Sequence, residues 1–189
     1  MTYTTRKELL QAVHDNQDDA WKDFESFYKP LIMLRAKDFK LQPHEADELR
    51  QNVLVSVFRG DAAGKYDPSK GRFRDYLRRI ITNCAIDILR NRLSHEHLQL
   101  SDQIPQENDD EAFDREWKEF LLEQAKTEVR ENCEPSTYMA YLLYGEQGMP
   151  VEEVARIMKM NEMQVYQAKT RTLKRIQAAV QRLSQELGE

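Results

Sequence analysis

The sequence is poor in the residues and patterns that mark several classes of protein. Its 189 residues include only two cysteines, six glycines and six prolines. Cys84 and Cys133 form no C-x-x-C pair, which argues against a disulfide framework. No apolar stretch approaches the ~20 residues of a membrane-spanning helix, and the first ten residues lack the apolar core of a signal peptide. We therefore expect a cytoplasmic protein without membrane insertion.

Patterns that would indicate a metal site or an enzyme are also missing. Of the four histidines only His95 and His97 lie close together, and no cysteine stands near them to complete a metal site. The sequence has no G-x-x-x-x-G-K, H-E-x-x-H or G-x-S-x-G motif. We expect no metal ion, no cofactor and no enzymatic activity.

What the sequence does contain predicts an all-α protein of two small helical domains. Charged residues make up 32% of the chain and hydrophobic residues 40%, with helical rather than alternating periodicity. Residues 93–116 lose that periodicity and carry one basic and eight acidic residues, hence a net charge of −7. The pattern predicts a domain over residues 1–92, a flexible acidic linker over 93–116 and a second domain over 117–189.

A basic helix predicted after the Asp67-Pro68 turn is the strongest local feature. Residues 65–92 contain eight Lys/Arg and three Asp, a net charge of +5 in a chain whose total is −5. Arginines can hold phosphates and exposed rings can stack on bases, so this face is a candidate nucleic-acid surface. A merely solvated helix face, with Phe73 and Tyr76 in the core, is the alternative. The candidate contacts are Tyr66, Arg72, Phe73, Arg74, Tyr76, Arg79, Asn83, Asp87 and Arg90.

An earlier amphipathic helix is predicted to begin near Pro43, a residue that suits the first helical position. Its apolar residues, spaced for one buried stripe, are Ala46, Leu49, Val53 and Val57. The polar residues between them should face solvent, and these are Asp47, Glu48, Gln51 and Asn52.

Residues 150–175 predict two helices joined by a tight turn, the size of a helix-turn-helix. Asn161 suits the N-cap of the second helix, with Gln164 three residues later as in a capping box. The second helix would enter the major groove of DNA, where Gln can pair with adenine and Arg with guanine. Packing of two charged helices for structural reasons alone is the alternative. The candidate contacts are Gln164, Gln167, Lys169, Thr170, Arg171 and Lys174.

These segments resemble parts of one protein family. The residues Asp67-Pro68, Gly71, Phe73, Tyr76-Leu77 and Asn83-x-x-Ile86-Asp87-x-x-Arg90 resemble region two of bacterial sigma factors of the sigma-70 superfamily. The segment PVEEVARIMKMNEMQVYQAKTRTLKRI resembles region four of the same family, in its small extracytoplasmic-function group (group four). Tyr76 stands where the family usually has Trp, and Lys159 stands where it usually has Gly.

The resemblance implies a fold and a set of roles. Residues 1–92 would be a region-two helical bundle that melts and reads the minus-ten promoter element. Residues 117–189 would be a region-four helix-turn-helix that reads the minus-thirty-five element. HEADELRQNVL resembles the helix that docks on the clamp helices of the polymerase β′ subunit, with Arg50 and Asn52 departing from the family pattern. The docking residues implied are Asp47, Glu48, Gln51 and Asn52.

The resemblance therefore predicts an alternative sigma factor that directs RNA polymerase to specific promoters. The partners implied are the polymerase core, through the β′ clamp helices and the β flap, together with promoter DNA and, for this group, an anti-sigma factor. Two alternatives stay open. One is a helix-turn-helix regulator that binds DNA by itself, and the other is a helical adaptor whose basic faces meet acidic protein surfaces.

Overall fold

A computed structural model of the chain describes residues 17–58, 72–96 and 110–187, together with residues 9, 12, 13 and 15. The three longer segments contain seven α-helices and one π-helix and no strand, so the prediction of an all-α fold is confirmed. The helices are α1 (Asp18–Asp38), α2 (Pro43–Phe58), α3 (Phe73–Glu96), α4 (Asp110–Glu131), α5 (Pro135–Tyr141), a π-helix (Leu142–Glu146), α6 (Val151–Met158) and α7 (Glu162–Glu186).

Contacts within the chain divide it into two compact units. The first unit comprises Met1–Phe120 with Glu186–Glu189, and the second comprises Leu121–Gln185. Helix α4 contributes its beginning to the first unit and its remainder to the second. No helix in the described part of the chain is both long enough and apolar enough to cross a bilayer.

The core of the first unit is formed by apolar stripes on α1, α2 and α3. Helix α1 contributes an aromatic stripe that includes Phe24 and Tyr28, both completely buried. Helices α2 and α3 bury side chains at steps of three and four residues, which places them on one face of each helix. These side chains are Ala46, Leu49, Val53 and Val57 on α2 and Phe73, Leu77, Ile81, Ala85, Ile88 and Leu89 on α3. The predicted buried stripe of α2 is confirmed.

Helix α1 runs through Pro30, although a proline inside a helix usually kinks or ends it. A proline inside a helix removes one backbone hydrogen bond and leaves a carbonyl one turn earlier without its partner. Pro30 lies on the exposed side of α1, where water can hydrate that carbonyl. The helix therefore continues to Asp38, and the residues after Pro30 keep their place in the core.

The expectation of a non-helical linker over residues 93–116 is wrong at both of its ends. Residues 93–96 continue α3, and α4 begins at Asp110, seven residues before Trp117, where the predicted second domain begins. Phe113, Trp117 and Phe120 recur at steps of four and three and are buried in the first unit. The Phe120 ring lies 5.1 Å from that of Phe27, centroid to centroid. The acidic composition of this stretch conceals its apolar stripe, and residues 97–109 lie outside the described part of the chain.

The second unit has its own core around α5, α6 and the first half of α7. Its central cluster consists of Ala140, Val151, Val154, Val165 and Ala168. Further along α7, Thr172, Ile176, Ala179 and Leu183 are also buried. Val165, Ala168, Thr172 and Ile176 follow one another at steps of three and four residues and form one buried stripe along α7.

Candidate nucleic-acid interface

The exposed face of α3 carries most of the side chains predicted to contact nucleic acid. Arg72, just before the helix, and Arg79, Asn83, Asp87 and Arg90 along it are all exposed. Their spacing from Arg79 onward is four, four and three residues, which keeps them on one side of the helix. The Arg90 guanidinium lies 3.4 Å from the Asp87 carboxylate, and both side chains remain more than half exposed. Such a pair contributes little to stability and can rearrange around a ligand.

Phe73 does not belong to this face. Its side chain is only 6% exposed, and its ring packs against those of Phe24 and Tyr28 at centroid distances of 6.3 and 5.8 Å. The prediction that Phe73 contacts nucleic acid is therefore wrong, because the ring is needed to fill the core at the start of α3. The alternative, a core residue, is correct for this position.

Arg74 does not lie on the exposed face of α3 either. Its guanidinium is paired with Asp114 of α4, and it lies over the rings of Trp117 and Phe113 at 5.3 and 5.8 Å. Only 12% of its side chain is exposed. The prediction that Arg74 holds a phosphate is wrong for this structure, because the start of α4, which the sequence predicts to be a tether, occupies the guanidinium.

Of the two tyrosines of the predicted interface, Tyr76 is described by the structure and Tyr66 is not. Tyr76 is half-buried, with its ring 6.1 Å from that of Phe73. Tyr66 lies outside the described residues. The stacking role of both tyrosines stays a prediction.

Helix α2 presents the predicted polar face to solvent. Asp47, Glu48, Gln51 and Asn52 are all exposed. Arg50, which departs from the family pattern, turns away from this face and pairs with Glu25 of α1. Its guanidinium also lies 3.8 Å from the Asp47 carboxylate.

Val55 is 43% exposed and extends the same face, but it is not among the residues predicted from the sequence. Its position, four residues after Gln51 and three after Asn52, indicates that it lies on this face. The face therefore combines carboxylates, amides and one apolar side chain.

A polar network fixes the start of α2 against the end of α3. The Glu45 carboxylate accepts a hydrogen bond from the backbone N–H of Gln42 at 2.7 Å and another from the Arg92 guanidinium at 3.0 Å. Glu45 is only 5% exposed. A buried carboxylate needs partners of this kind, so the network holds the exposed faces of α2 and α3 in a fixed relation.

In the second unit, a tight turn of residues 159–161 joins α6 to α7. Lys159 has a left-handed backbone with φ 54° and ψ 41°, a conformation that usually favours glycine. The turn ends in a capping box. The backbone N–H of Asn161 donates to Gln164 Oε1 and the backbone N–H of Gln164 donates to Asn161 Oδ1, both at 2.8 Å. The predicted cap is confirmed.

The exposed face of α7 carries five of the six side chains predicted to read DNA. These are Gln164, Gln167, Thr170, Arg171 and Lys174. The Thr170 hydroxyl donates to the backbone carbonyl of Tyr166 at 2.9 Å, so its oxygen can still accept a hydrogen bond. Lys169 does not share this face. Its ammonium lies 4.8 Å from the centroid of the Tyr144 ring, on the side of α7 that packs inward.

One buried carboxyl in the first unit has a strongly altered acidity. Glu116 of α4 is 7% exposed and lies 3.3 Å from the Arg35 guanidinium. Burial raises the pKa of Glu116 to about 7, because a charged carboxylate is poorly solvated there. The attraction of Arg35 offsets only part of this increase, and the neighbouring Asp38 raises the pKa further.

The described residues contain no cluster of three or more His, Cys, Asp or Glu side chains suited to a metal ion.

Comparison with known proteins assigns part of this chain. No curated protein matched it. Residues 26–94, which are 69 of the 189 residues, match the family model of sigma-70 region 2. The matched segment carries most of α1, all of α2 and nearly all of α3, and it ends well before the α6–turn–α7 segment. Over these residues the first unit of the chain is similar to sigma-70 region 2.

Proposed function

We propose that this protein is an alternative sigma factor of the extracytoplasmic-function type, which directs the RNA polymerase core to specific promoters. The observation that carries the proposal is that the sigma-70 region 2 match, residues 26–94, contains both exposed polar faces of the first unit. Catalysis belongs to the polymerase, and the chain itself acts in the cytoplasm without a cofactor.

The α2 face would dock on the clamp helices of the β′ subunit. Its exposed carboxylates, Asp47 and Glu48, can pair with basic side chains, and Gln51 and Asn52 can exchange hydrogen bonds with a partner helix. Val55 supplies apolar area next to these groups. A contact of this composition is typical of interfaces in which a small apolar centre is surrounded by polar groups.

The α3 face would then hold the single strand opened at the minus-ten element. Arg72, Arg79 and Arg90 offer positive charge for phosphates, and the Asn83 amide offers both a donor and an acceptor for a base edge. Unstacking a base costs a few kcal/mol, and stacking on an aromatic ring returns about 1–3 kcal/mol. We assign that stacking to Tyr66 and Tyr76, and the Phe73 ring packs beside that of Tyr76 from the core.

The second unit would read the minus-thirty-five element through a helix-turn-helix formed by α6 and α7, and would contact the β flap. Gln167, Arg171 and Lys174 are exposed along α7, and a good bidentate contact to a base is worth about 1–3 kcal/mol of discrimination. Lys169 is left out of this assignment because its ammonium faces Tyr144. By resemblance to the group, an anti-sigma factor is a further proposed partner.

A regulator that binds DNA by itself is the second candidate. The α6–turn–α7 geometry favours it independently of the first unit, because a capped helix with exposed Gln and Arg side chains suits the major groove in either class of protein. Such a regulator would need no polymerase core, whereas the sigma factor would.

Run-off transcription with purified core polymerase and this chain tests the proposal. A sigma factor produces transcripts from defined start sites only when the chain is added. A stand-alone regulator binds DNA in the absence of core and initiates nothing, and a helical adaptor does neither.

Charge reversal on α2 provides a matched check of the docking assignment. Glu48→Arg should weaken binding to core, whereas Lys37→Glu, a charge reversal at an exposed position of α1, should leave it intact. Equal binding of both variants would contradict the assignment of the α2 face.

A further inference from the structure

The most exposed large apolar side chain among the described residues belongs to Met163, near the start of α7. It is 63% exposed, whereas Val165, two residues later, is completely buried. Leaving a methionine in water forgoes about 1.5–3 kcal/mol of burial free energy. A side chain of this size at this position therefore suggests a partner that covers it.

Met163 lies on the same face as the polar side chains assigned to DNA. Gln167, Thr170 and Lys174 follow it at steps of four, three and four residues, a spacing that stacks side chains on one side of a helix. The buried stripe of α7 through Val165, Thr172 and Ile176 lies on the opposite side. Met163 therefore points away from the core, at the end of α7 that would enter a groove first.

Gln164, beside Met163, is less suited to pair with a base. Its carbonyl Oε1 already accepts the backbone N–H of Asn161 at 2.8 Å. A bidentate contact to adenine needs the carbonyl and the amide of one glutamine directed at the same base edge. The cap holds the carbonyl toward the turn instead, so Gln164 positions the helix.

We propose that Met163 is a specificity-determining residue that contacts the C5-methyl group of a thymine in the upstream promoter element. This inference rests on the proposed DNA-reading function of α7. Thymine is the base that presents a methyl group in the major groove, and apolar side chains read it by direct contact. The charge of the segment favours DNA as the covering partner, because residues 159–175 contain five basic residues and only one acidic residue, Glu162.

The test uses polymerase holoenzyme reconstituted with the full chain. Its preferred upstream element is first selected from a randomised promoter library. Each thymine of that element is then replaced by deoxyuridine, which removes only the C5-methyl group, and the affinity of the holoenzyme is measured by competition. For the wild-type chain we expect a loss of about fourfold at one position, the equivalent of burying one methyl-sized group at ~0.8 kcal/mol.

Variants of Met163 show whether this side chain makes the contact. Met163→Ala should abolish the deoxyuridine effect at that position, and Met163→Leu should retain it. Met139→Ala, which removes a methionine 44% exposed on α5, is the matched control and should behave as wild type. Circular dichroism confirms that each variant is folded.

Three outcomes would overturn the inference. If Met163→Ala loses as much affinity as wild type on deoxyuridine replacement, the methyl group is read elsewhere. If no position is sensitive to the methyl group but Met163→Ala weakens binding to core, the side chain is covered by protein. If the wild-type holoenzyme selects no upstream sequence at all, the proposed function of α7 fails, and the inference fails with it.

Discussion

Protonation of Glu116 should make the first unit more stable as the pH falls from 8 toward 5.5. Burial of Glu116 beside Arg35 and Asp38 raises its pKa from 4.5 to about 7 in the folded chain. An acid whose pKa is raised on folding binds its proton more tightly in the folded state, so stability falls as the pH rises from about 4.5 to about 7, and the loss is complete above the folded pKa. At 1.36 kcal/mol per pKa unit, the full cost at pH 8 is about 3 kcal/mol.

The variant Glu116→Gln isolates this effect, because its amide cannot ionise but can still accept a hydrogen bond from Arg35. At pH 5.5 Glu116 is still mostly ionised in the unfolded chain but protonated in the folded chain, so about 1 kcal/mol of the loss of stability remains there. The stability of Glu116→Gln relative to wild type should therefore grow by about 2 kcal/mol between pH 5.5 and pH 8. Glu119→Gln, which removes an exposed carboxylate from the same helix, is the control.

Urea denaturation followed by tryptophan fluorescence is the appropriate assay. The chain has two tryptophans, Trp21 and Trp117, and both belong to the first unit. The fluorescence therefore reports the unfolding of that unit. The same difference between Glu116→Gln and wild type at both pH values would refute the reasoning. A difference that shrinks as the pH rises would show that the attraction of Arg35 outweighs the effect of burial.

Two further predictions concern the packing of α4 and the backbone of the second unit. Trp117→Ala should lower the free energy of unfolding of the first unit by about 3–5 kcal/mol, because the ring is completely buried. The fluorescence of Trp21 measures that loss, and Val55→Ala at a 43% exposed position of the same unit should cost much less. Lys159→Gly should stabilise the second unit by up to about 1 kcal/mol, because glycine adopts φ 54° without strain. Gly148→Ala should destabilise the unit by about 1 kcal/mol, because alanine is strained at a φ of +68°. An added Cβ would meet no atom within 4 Å, so backbone strain is the only cost. Thermal melting followed by circular dichroism tests both changes.

The elements that the sequence predicts well are those with a strong local signal. The α2 stripe from Ala46 to Val57 and the cap formed by Asn161 and Gln164 follow from spacing and from the chemistry of helix ends, and the structure has both. These features depend on residues within two or three turns of one another. They can be recognised without knowledge of the tertiary fold.

The errors arise where tertiary contacts decide the outcome. Arg74 stands three residues before Leu77 and seven before Ile81, so helical spacing already places it on the buried side of α3. What the sequence does not reveal is its partner, because Asp114 and Trp117 follow some forty positions later in the chain. The early start of α4 was missed because its acidic residues outweigh Phe113 in any composition count. The sequence leaves two roles open for Phe73, because a ring at the start of a helix suits a core as well as a stacking surface.

The central claim is that the chain opens promoter DNA through the exposed face of α3 while it is bound to core polymerase. Permanganate reactivity of thymines at the start site measures this opening directly. We expect reactive thymines only when core and chain are both present. Asn83→Ala should reduce the reactivity while promoter binding persists, whereas Arg171→Ala should reduce promoter binding itself. Undiminished opening with Asn83→Ala and Arg79→Ala combined, or no opening with the wild-type chain, would contradict the account.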